Sequence, residues 1–223
     1  MERLDKQLRT VHKHMRGLGL GALAHANWHA NYHSFENDWW SELSVLQAAH
    51  AAEILIKARI AQRHPLLIFE HLPKPPAIKT KLSLEHLLQQ GRTYQYSELP
   101  DRLWAATGIM VPNLSLYKSF GRLRNSIQHF ASPKQDVSKD AIEFIYGVID
   151  PFINLCWKLF AIDYNEDHEP YVYLVTGLIR SGVPFLVSRG VIEHLEYLEM
   201  NWPPNNPKYK KLMLDRLRAA QAQ

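Results

Sequence analysis

Apolar residues recur along this chain at the spacing of helices, and stretches that alternate between apolar and polar residues are nearly absent. The strongest pattern covers residues 39–63, where apolar side chains occupy most of the circumference of the predicted helix. A helix that is apolar nearly all round belongs in a protein core. Because a residue before proline disfavours the helical conformation, this helix should end at His64-Pro65. The pattern therefore predicts an all-α protein.

Similar spacing predicts further helices on both sides of this central one. They cover residues 3–33, a short segment after Ser83, 97–107, 114–130, 138–160, 184–200 and a basic C-terminal segment. Ser83 and Asn113 are suited to cap the helices that follow them, because their side-chain oxygens can accept a hydrogen bond from the first turn. Pro151 should bend or break its helix, since it lacks an N–H.

Residues 165–170 form a polar, acidic stretch that divides the predicted helices into two groups. We therefore predict a helical bundle domain over residues 1–163 and a C-terminal helical extension over residues 164–223. The extension would pack on the first domain or be exchanged between the subunits of a dimer.

The helix predicted over residues 114–130 carries the most informative chemistry. At 100° per residue, one stripe is apolar and should face the core: Leu116, Phe120, Leu123, Ile127 and Phe130. A nearly opposite stripe is polar: Lys118, Arg122, Asn125 and His129. Arg124 lies about 140° from His129 on an ideal helix. The two could still share one phosphate if the arginine bends back, if the helix frays near Ser132-Pro133, or if a second copy of the chain completes the site.

Arginine and histidine together suit chemistry at a phosphate. The guanidinium presents a fixed fork of donors to phosphate oxygens, and a histidine titrates near neutral pH, so it can act as base or acid. RNA supplies its own nucleophile, the 2′-hydroxyl, so neither a metal ion nor a nucleophilic side chain is required. The alternative is chance, since arginine and histidine often occur together on the polar face of a helix.

Composition narrows the context without choosing a function. The net charge is +4 and the pI is about 9.1, which permits an anionic partner. The one cysteine, Cys156, excludes an intrachain disulfide. The charged N-terminus has no apolar core like that of a signal peptide, and the apolar window 171–190 is interrupted by charged residues, glycine and proline. We expect a soluble cytoplasmic protein with no membrane span.

The segment from Leu123 to Phe130 (LRNSIQHF) resembles the signature of the HEPN superfamily, in which an arginine and a polar residue precede a histidine. The segment 50–58 (HAAEILIKA), followed by His64-Pro65, resembles the long second helix of prokaryotic HEPN proteins. The resemblance covers roughly residues 35–160 and implies a HEPN-like helical bundle. One subgroup carries a regulatory tyrosine two positions after the histidine. Ala131 stands there, so that control is not expected.

Many HEPN proteins are RNases of toxin–antitoxin or antiphage systems, and they typically act as homodimers in which two motifs line one cleft. The resemblance therefore implies metal-independent RNA cleavage, without a cofactor, that leaves a 2′,3′-cyclic phosphate. Arg124 would bind the scissile phosphate, His129 would be the acid/base, and Asn125 would orient one of them. RNA and an antitoxin or defence partner are the expected partners, and Arg122 and Lys118 are accessory RNA-binding candidates. Some members have lost activity, so the alternative is a non-catalytic module that binds a nucleotide or a partner protein.

A polar strip of three residues interrupts the apolar helix at i, i+3 and i+7: His50, Glu53 and Lys57. It either forms an internal Glu53–Lys57 ion pair, which the i, i+4 spacing favours, or lines the same cleft as the motif.

Two other features have a structural reading and a functional one. A histidine stripe could chelate a metal, but it is more simply a solvated or RNA-facing helix side, and we predict no metal site there: His25, His29 and His33. Trp39 and Trp40 are expected in the core, with a dimer contact as the alternative.

Overall fold

The computed structural model describes residues 2–32, 34, 36–74, 81–132, 134–166, 171–198 and 200–222. The first helices are α1 (Glu2–Leu8), α2 (Val11–Asn31), α3 (Trp40–Ala61), α4 (Leu84–Gln90), α5 (Leu99–Thr107) and α6 (Leu114–His129). The later helices are α7 (Ser138–Phe144), α8 (Asp150–Trp157), α9 (Val172–Ser181), α10 (Arg189–Glu193) and α11 (Pro207–Gln221). Two very short strands, β1 (Phe69–His71) and β2 (Arg92–Thr93), pair antiparallel. The predicted all-α class is confirmed.

Both predicted caps are present. The Ser83 hydroxyl accepts a hydrogen bond from the backbone N–H of His86 at 3.3 Å. Asn113 adopts the left-handed conformation, with φ of 47°, and its side-chain oxygen accepts from the N–H of Leu116 at 3.4 Å. Each cap satisfies a first-turn N–H that has no partner inside its helix, which is why these residue types predicted the helix starts correctly.

Two predicted helices differ from the observed ones. The single helix expected over residues 3–33 is two helices, because Thr10 begins a new one by accepting from the N–H groups of Lys13 and His14, each at 3.0 Å. The helix expected over residues 184–200 shrinks to α10 and one following 3₁₀ turn. Ser188 caps α10, so the chain before it is not helical.

The helix predicted over residues 138–160 contains a wide turn in the place where a bend was expected. Residues Ile145–Ile149 form a π-helical turn between α7 and α8, directly before Asp150 and Pro151. Pro151 has no N–H to offer to the preceding turn, so the regular hydrogen-bond ladder is interrupted there.

The chain divides into two compact units. One consists of the described residues of 1–20 and 52–111, and the other of the described residues of 21–51 and 112–223. The separation at residue 163 concerns folding units and stays a prediction. No helix within the described ranges is both long and apolar enough to cross a membrane.

Aromatic packing fixes α6 in the second unit. The rings of Phe120 and Phe144 stack with centroids 3.8 Å apart, and the ring of Tyr117 lies 6.3 Å from that of Phe144. All three side chains are buried. These contacts hold the first half of α6 against α7.

A buried polar network ties the chain after α8 into the same unit. The Asn27 amide donates to the carbonyls of Ala161 at 3.0 Å and Tyr164 at 2.8 Å, and it accepts from the Tyr146 hydroxyl at 3.1 Å. Burial raises the pKa of Tyr146 well above its ordinary value, so this hydroxyl remains a donor. The fully buried Asn27 side chain thus provides hydrogen-bond partners for the Tyr146 hydroxyl and for two carbonyls of the segment that follows α8.

Candidate functional site

The apolar face of α6 differs from the predicted stripe. Tyr117, Phe120 and Gly121 are buried, whereas Leu116, Leu123 and Ile127 are only partly covered. Phe130 was expected to face the core, but it is 94% exposed. The prediction assumed that helical periodicity continues to residue 130. Phe130 in fact leaves the helix, with φ of −144° and ψ of −77°, so its side chain no longer follows the helical stripe.

Ser126 holds the end of α6 in one conformation. Its carbonyl accepts from the N–H groups of Phe130 and Ala131, each at 2.9 Å. Its hydroxyl donates to the carbonyl of Ala131, also at 2.9 Å. These three bonds close the last turn, so His129 is the final residue of a defined helix end.

The motif residues lie at this helix end and are accessible. Arg124 is half-buried, while Asn125 and His129 are exposed. The Arg124 guanidinium donates from Nη1 to Oδ1 of Asn125 at 3.0 Å. Among the described residues, neither Arg124 nor His129 forms an ion pair with a carboxylate. The arginine therefore keeps donors and positive charge for an external anion, and Asn125 braces it from one side.

The polar stripe on α6 adds two cationic side chains to the motif residues. Lys118 and Arg122 are exposed, as are Asn125 and His129. All four share the spacing of one helix face. Negatively charged groups could approach this face from solvent, but the assignment of Lys118 and Arg122 to RNA binding stays a prediction.

The polar strip on α3 contains the ion pair that its spacing predicts. The Lys57 ammonium donates to Oε1 of Glu53 at 2.6 Å and to the Thr93 hydroxyl at 3.2 Å. Lys57 is buried, and such a charge needs partners of this kind. His50 is exposed and belongs to the second compact unit, whereas Glu53 and Lys57 belong to the first. A role for these three residues in RNA binding stays a prediction.

An apolar groove of about 690 Å³ lies beside the motif. It is lined by residues before and within α3 and by the chain at and after the end of α6: Trp39, Glu42, Leu43, Leu46, Ile127, Phe130, Ala131, Ser132, Lys134 and Gln135. Trp39 is 68% exposed, so its expected place in the core is wrong. Trp40 is partly covered and its ring meets that of His29 edge-on, with centroids 4.1 Å apart.

Sequence reasoning missed this groove, because it arises where two segments far apart in the chain come together. Lys134 on its rim pairs with Asp140 at 2.7 Å, and this hydrogen bond raises the pKa of the lysine. The only available signal was the pair of adjacent tryptophans at the start of α3, which is more often a mark of a core than of a surface.

The histidine stripe on α2 is engaged in protein contacts. His25 pairs with Glu166 at 2.8 Å, and Nδ1 of His29 lies 3.1 Å from Oε1 of Gln47. Burial lowers the pKa of His29, which favours its neutral form. His33 lies outside the described residues. Within the part of the chain that the structure describes, no cluster of three or more histidine, cysteine or acidic side chains could hold a metal ion.

Comparisons with protein-family models, curated protein sequences and solved structures gave no match.

Proposed function

We propose that this chain is a metal-independent endoribonuclease in which Arg124 and His129 act on the scissile phosphate. The observation that carries the proposal is the arrangement at the end of α6. There, an accessible histidine and a braced arginine lie five residues apart near the end of one helix, and neither pairs with a carboxylate among the described residues. Both groups are needed for phosphate chemistry, and both remain available to it.

In the proposed reaction the 2′-oxygen of one nucleotide attacks the adjacent phosphorus. A base removes the 2′-hydroxyl proton, the O2′–P bond forms, and the P–O5′ bond breaks. The departing 5′-oxygen takes a proton from an acid, and the product carries a 2′,3′-cyclic phosphate. The Arg124 guanidinium stabilises the negative charge that builds on the phosphate oxygens during the attack. Asn125 keeps the guanidinium in place.

The geometry of this attack is the reason to propose a homodimer. The entering 2′-oxygen and the leaving 5′-oxygen lie on opposite sides of the phosphorus, so the base and the acid must also lie on opposite sides. The motif supplies one histidine per chain. A second copy, related by a twofold axis, would supply the other His129 and complete a composite site.

The groove beside the motif is the surface that supports this pairing. Trp39 and Phe130 are 68% and 94% exposed, and leucine and isoleucine side chains line the same groove. Large exposed apolar patches mark interaction sites, because leaving them in water costs free energy.

The groove also favours a second candidate function, a non-catalytic module that binds a partner protein. An antitoxin or a defence partner could cover Trp39 and Phe130 in place of a second copy. Under this alternative, the chain would form a stable complex and purified protein would leave RNA intact.

The decisive experiment incubates purified protein with total RNA in the presence and absence of EDTA. Cleavage should persist in EDTA, and mass spectrometry should find 2′,3′-cyclic phosphate ends. His129→Ala and Arg124→Ala should each abolish cleavage, while His14→Ala and Arg180→Gln, at exposed positions outside the site, should not. Circular dichroism should show the same fold in every variant. Full activity of His129→Ala, or loss of wild-type cleavage on chelation, would refute the mechanism.

A mixing experiment tests the composite site. Wild-type chains and His129→Ala chains are co-refolded in equal amounts, so that about one quarter of random dimers contain two intact histidines. If one site needs both histidines, activity should fall to about one quarter of the all-wild-type sample. A fall to about one half would mean that each chain acts alone. Phe130→Asp should in turn shift the wild-type sedimentation profile from dimer to monomer.

A further inference from the structure

A cationic pocket lies in the first compact unit and contains no residue of the motif on α6. Its volume is about 270 Å³. It is formed by the turn between α1 and α2 and by the chain that leaves α3: Leu8, Arg9, His12, Ala61, Gln62, Arg63, His64 and Pro65. Four of these eight side chains are arginine or histidine, and none is acidic.

The two arginines in this pocket have no neutralising partner among the described residues. Within the described part of the chain, neither Arg9 nor Arg63 forms an ion pair or a side-chain hydrogen bond. Both side chains are exposed and line the same pocket, so their donors and positive charge are available to an external anion.

The backbone around the pocket is held by local hydrogen bonds. The N–H groups of Arg63 and His64 donate to the carbonyl of Ile60, at 2.9 and 3.4 Å. The His64 carbonyl accepts from the N–H of Leu67 at 3.0 Å. The segment that carries Arg63 and His64 is therefore a defined turn at the end of α3, so little ordering is needed when a ligand binds.

His64 offers a hydrogen-bond donor at Nε2. Its Nδ1 accepts from the backbone N–H of Leu66 at 3.3 Å, where it caps the 3₁₀ turn Pro65–Ile68. A neutral ring that accepts at Nδ1 carries its hydrogen on Nε2. The Nε2–H is thus available as a donor.

We propose that this pocket binds a phosphate-bearing anion. Guanidinium forks fit phosphate oxygens with two parallel hydrogen bonds, and the histidine donors add to them. Drug-sized ligands occupy cavities of roughly 300 to 1,000 Å³, so this smaller pocket suits a phosphate or diphosphate group better than a whole nucleotide. The group could belong to a free oligophosphate or to the backbone of RNA. The site is independent of the proposed nuclease activity.

The test is calorimetric titration of the full chain with pyrophosphate at pH 7 and fixed ionic strength. Wild-type protein should bind one pyrophosphate. Arg9→Gln and Arg63→Gln should each raise Kd by about tenfold or more, because each removes charge-assisted hydrogen bonds. Arg180→Gln makes the same change in net charge at an exposed arginine in the other unit, and its Kd should match that of the wild type.

Competition with a single-stranded RNA oligonucleotide that carries a 5′-hydroxyl identifies the source of the phosphate, and it is measured in the His129→Ala background so that the RNA stays intact. If pyrophosphate displaces the RNA and Arg63→Gln weakens both, the site takes backbone phosphate. If the RNA leaves pyrophosphate binding unchanged, the site takes a free oligophosphate. The proposal is overturned if wild-type protein does not bind pyrophosphate, or if Arg180→Gln weakens binding as much as Arg63→Gln. Neither the titration nor the competition measures RNA cleavage. A failure of the proposed nuclease activity would therefore leave the pyrophosphate result unchanged.

Discussion

The buried carboxylate of Asp150 should make the stability of this protein depend on pH in an unusual direction. Asp150 is fully buried, and it accepts hydrogen bonds from the N–H groups of Ala161 and Leu186, each at 2.8 Å. Burial nevertheless raises the pKa of this carboxyl to about 6, because the loss of hydration outweighs the two hydrogen bonds and the positive charge of Arg216.

The sign and size of the effect follow from comparison with the unfolded chain. There the Asp150 carboxyl has its ordinary pKa of 3.8, so between pH 3.8 and about 6 the folded protein holds a proton that the unfolded chain has lost. The stabilisation is fully present below pH 3.8 and is lost as the pH rises through about 6. At 1.36 kcal/mol for each step in pKa, the total is about 3 kcal/mol, of which about 2 kcal/mol falls between pH 4.5 and 7.5.

Urea unfolding of wild type and Asp150→Asn across this pH range measures the effect. The amide has nearly the same shape and does not titrate, so groups that titrate in both proteins cancel in the difference between their free energies of unfolding. The free energy of wild type minus that of the variant should fall by about 2 kcal/mol from pH 4.5 to pH 7.5. Asp215→Asn, at an exposed position, controls for the removal of one carboxylate.

A pH-independent difference between wild type and Asp150→Asn would show that burial does not raise this pKa. A difference that grows with pH would show that the two N–H donors and Arg216 outweigh burial and lower the pKa of Asp150. The predicted direction of the pKa shift would then be wrong.

Three further predictions concern the packing and the helix end. Asn27→Ala should lower the free energy of unfolding by about 2 to 4 kcal/mol, because it leaves a buried hydroxyl and two carbonyls without their partner. Tyr146→Phe removes only one of these hydrogen bonds and should cost about 1 kcal/mol. Equal midpoints of the two variants in urea unfolding would contradict the network. Gly17→Ala should stabilise α2 by about 0.5 to 1 kcal/mol, because the added methyl group contacts no other atom. Gly19→Ala should not stabilise the helix, because its methyl group would lie 2.8 Å from a buried leucine of α3. Thermal unfolding should therefore give the higher melting temperature for Gly17→Ala. Ser126→Ala should reduce the rate of RNA cleavage several-fold and lower the free energy of unfolding by about 1 kcal/mol, because one hydrogen bond that closes the helix end is lost. An unchanged cleavage rate would show that Ser126 does not position the site.

Local sequence signals predicted much of the fold, because the forces behind them act within one or two turns. Ser83 and Asn113 cap helices where their side chains can reach first-turn N–H groups. Pro151 marks an irregular turn because it lacks one donor. The break at Thr10 was missed, since nothing in the spacing of apolar residues changes there.

The candidate site was predictable in its residues and not in its surroundings. Helical spacing was enough to put Asn125 and His129 on an exposed polar face of α6 and to pair Glu53 with Lys57 on α3. Spacing was not enough for Phe130, because helical periodicity says nothing about a residue that has left the helix.

By itself the sequence determined the helical class, the starts of several helices, the excess of positive charge and the order of arginine, asparagine and histidine in the motif. These depend on the propensity, capping and periodicity of neighbouring residues. Only the tertiary structure decided that Trp39 and Phe130 stay exposed around one groove, and that Arg9 and Arg63 share one pocket. Both arrangements join segments distant in the chain, and the energy that favours them comes from packing across the whole fold.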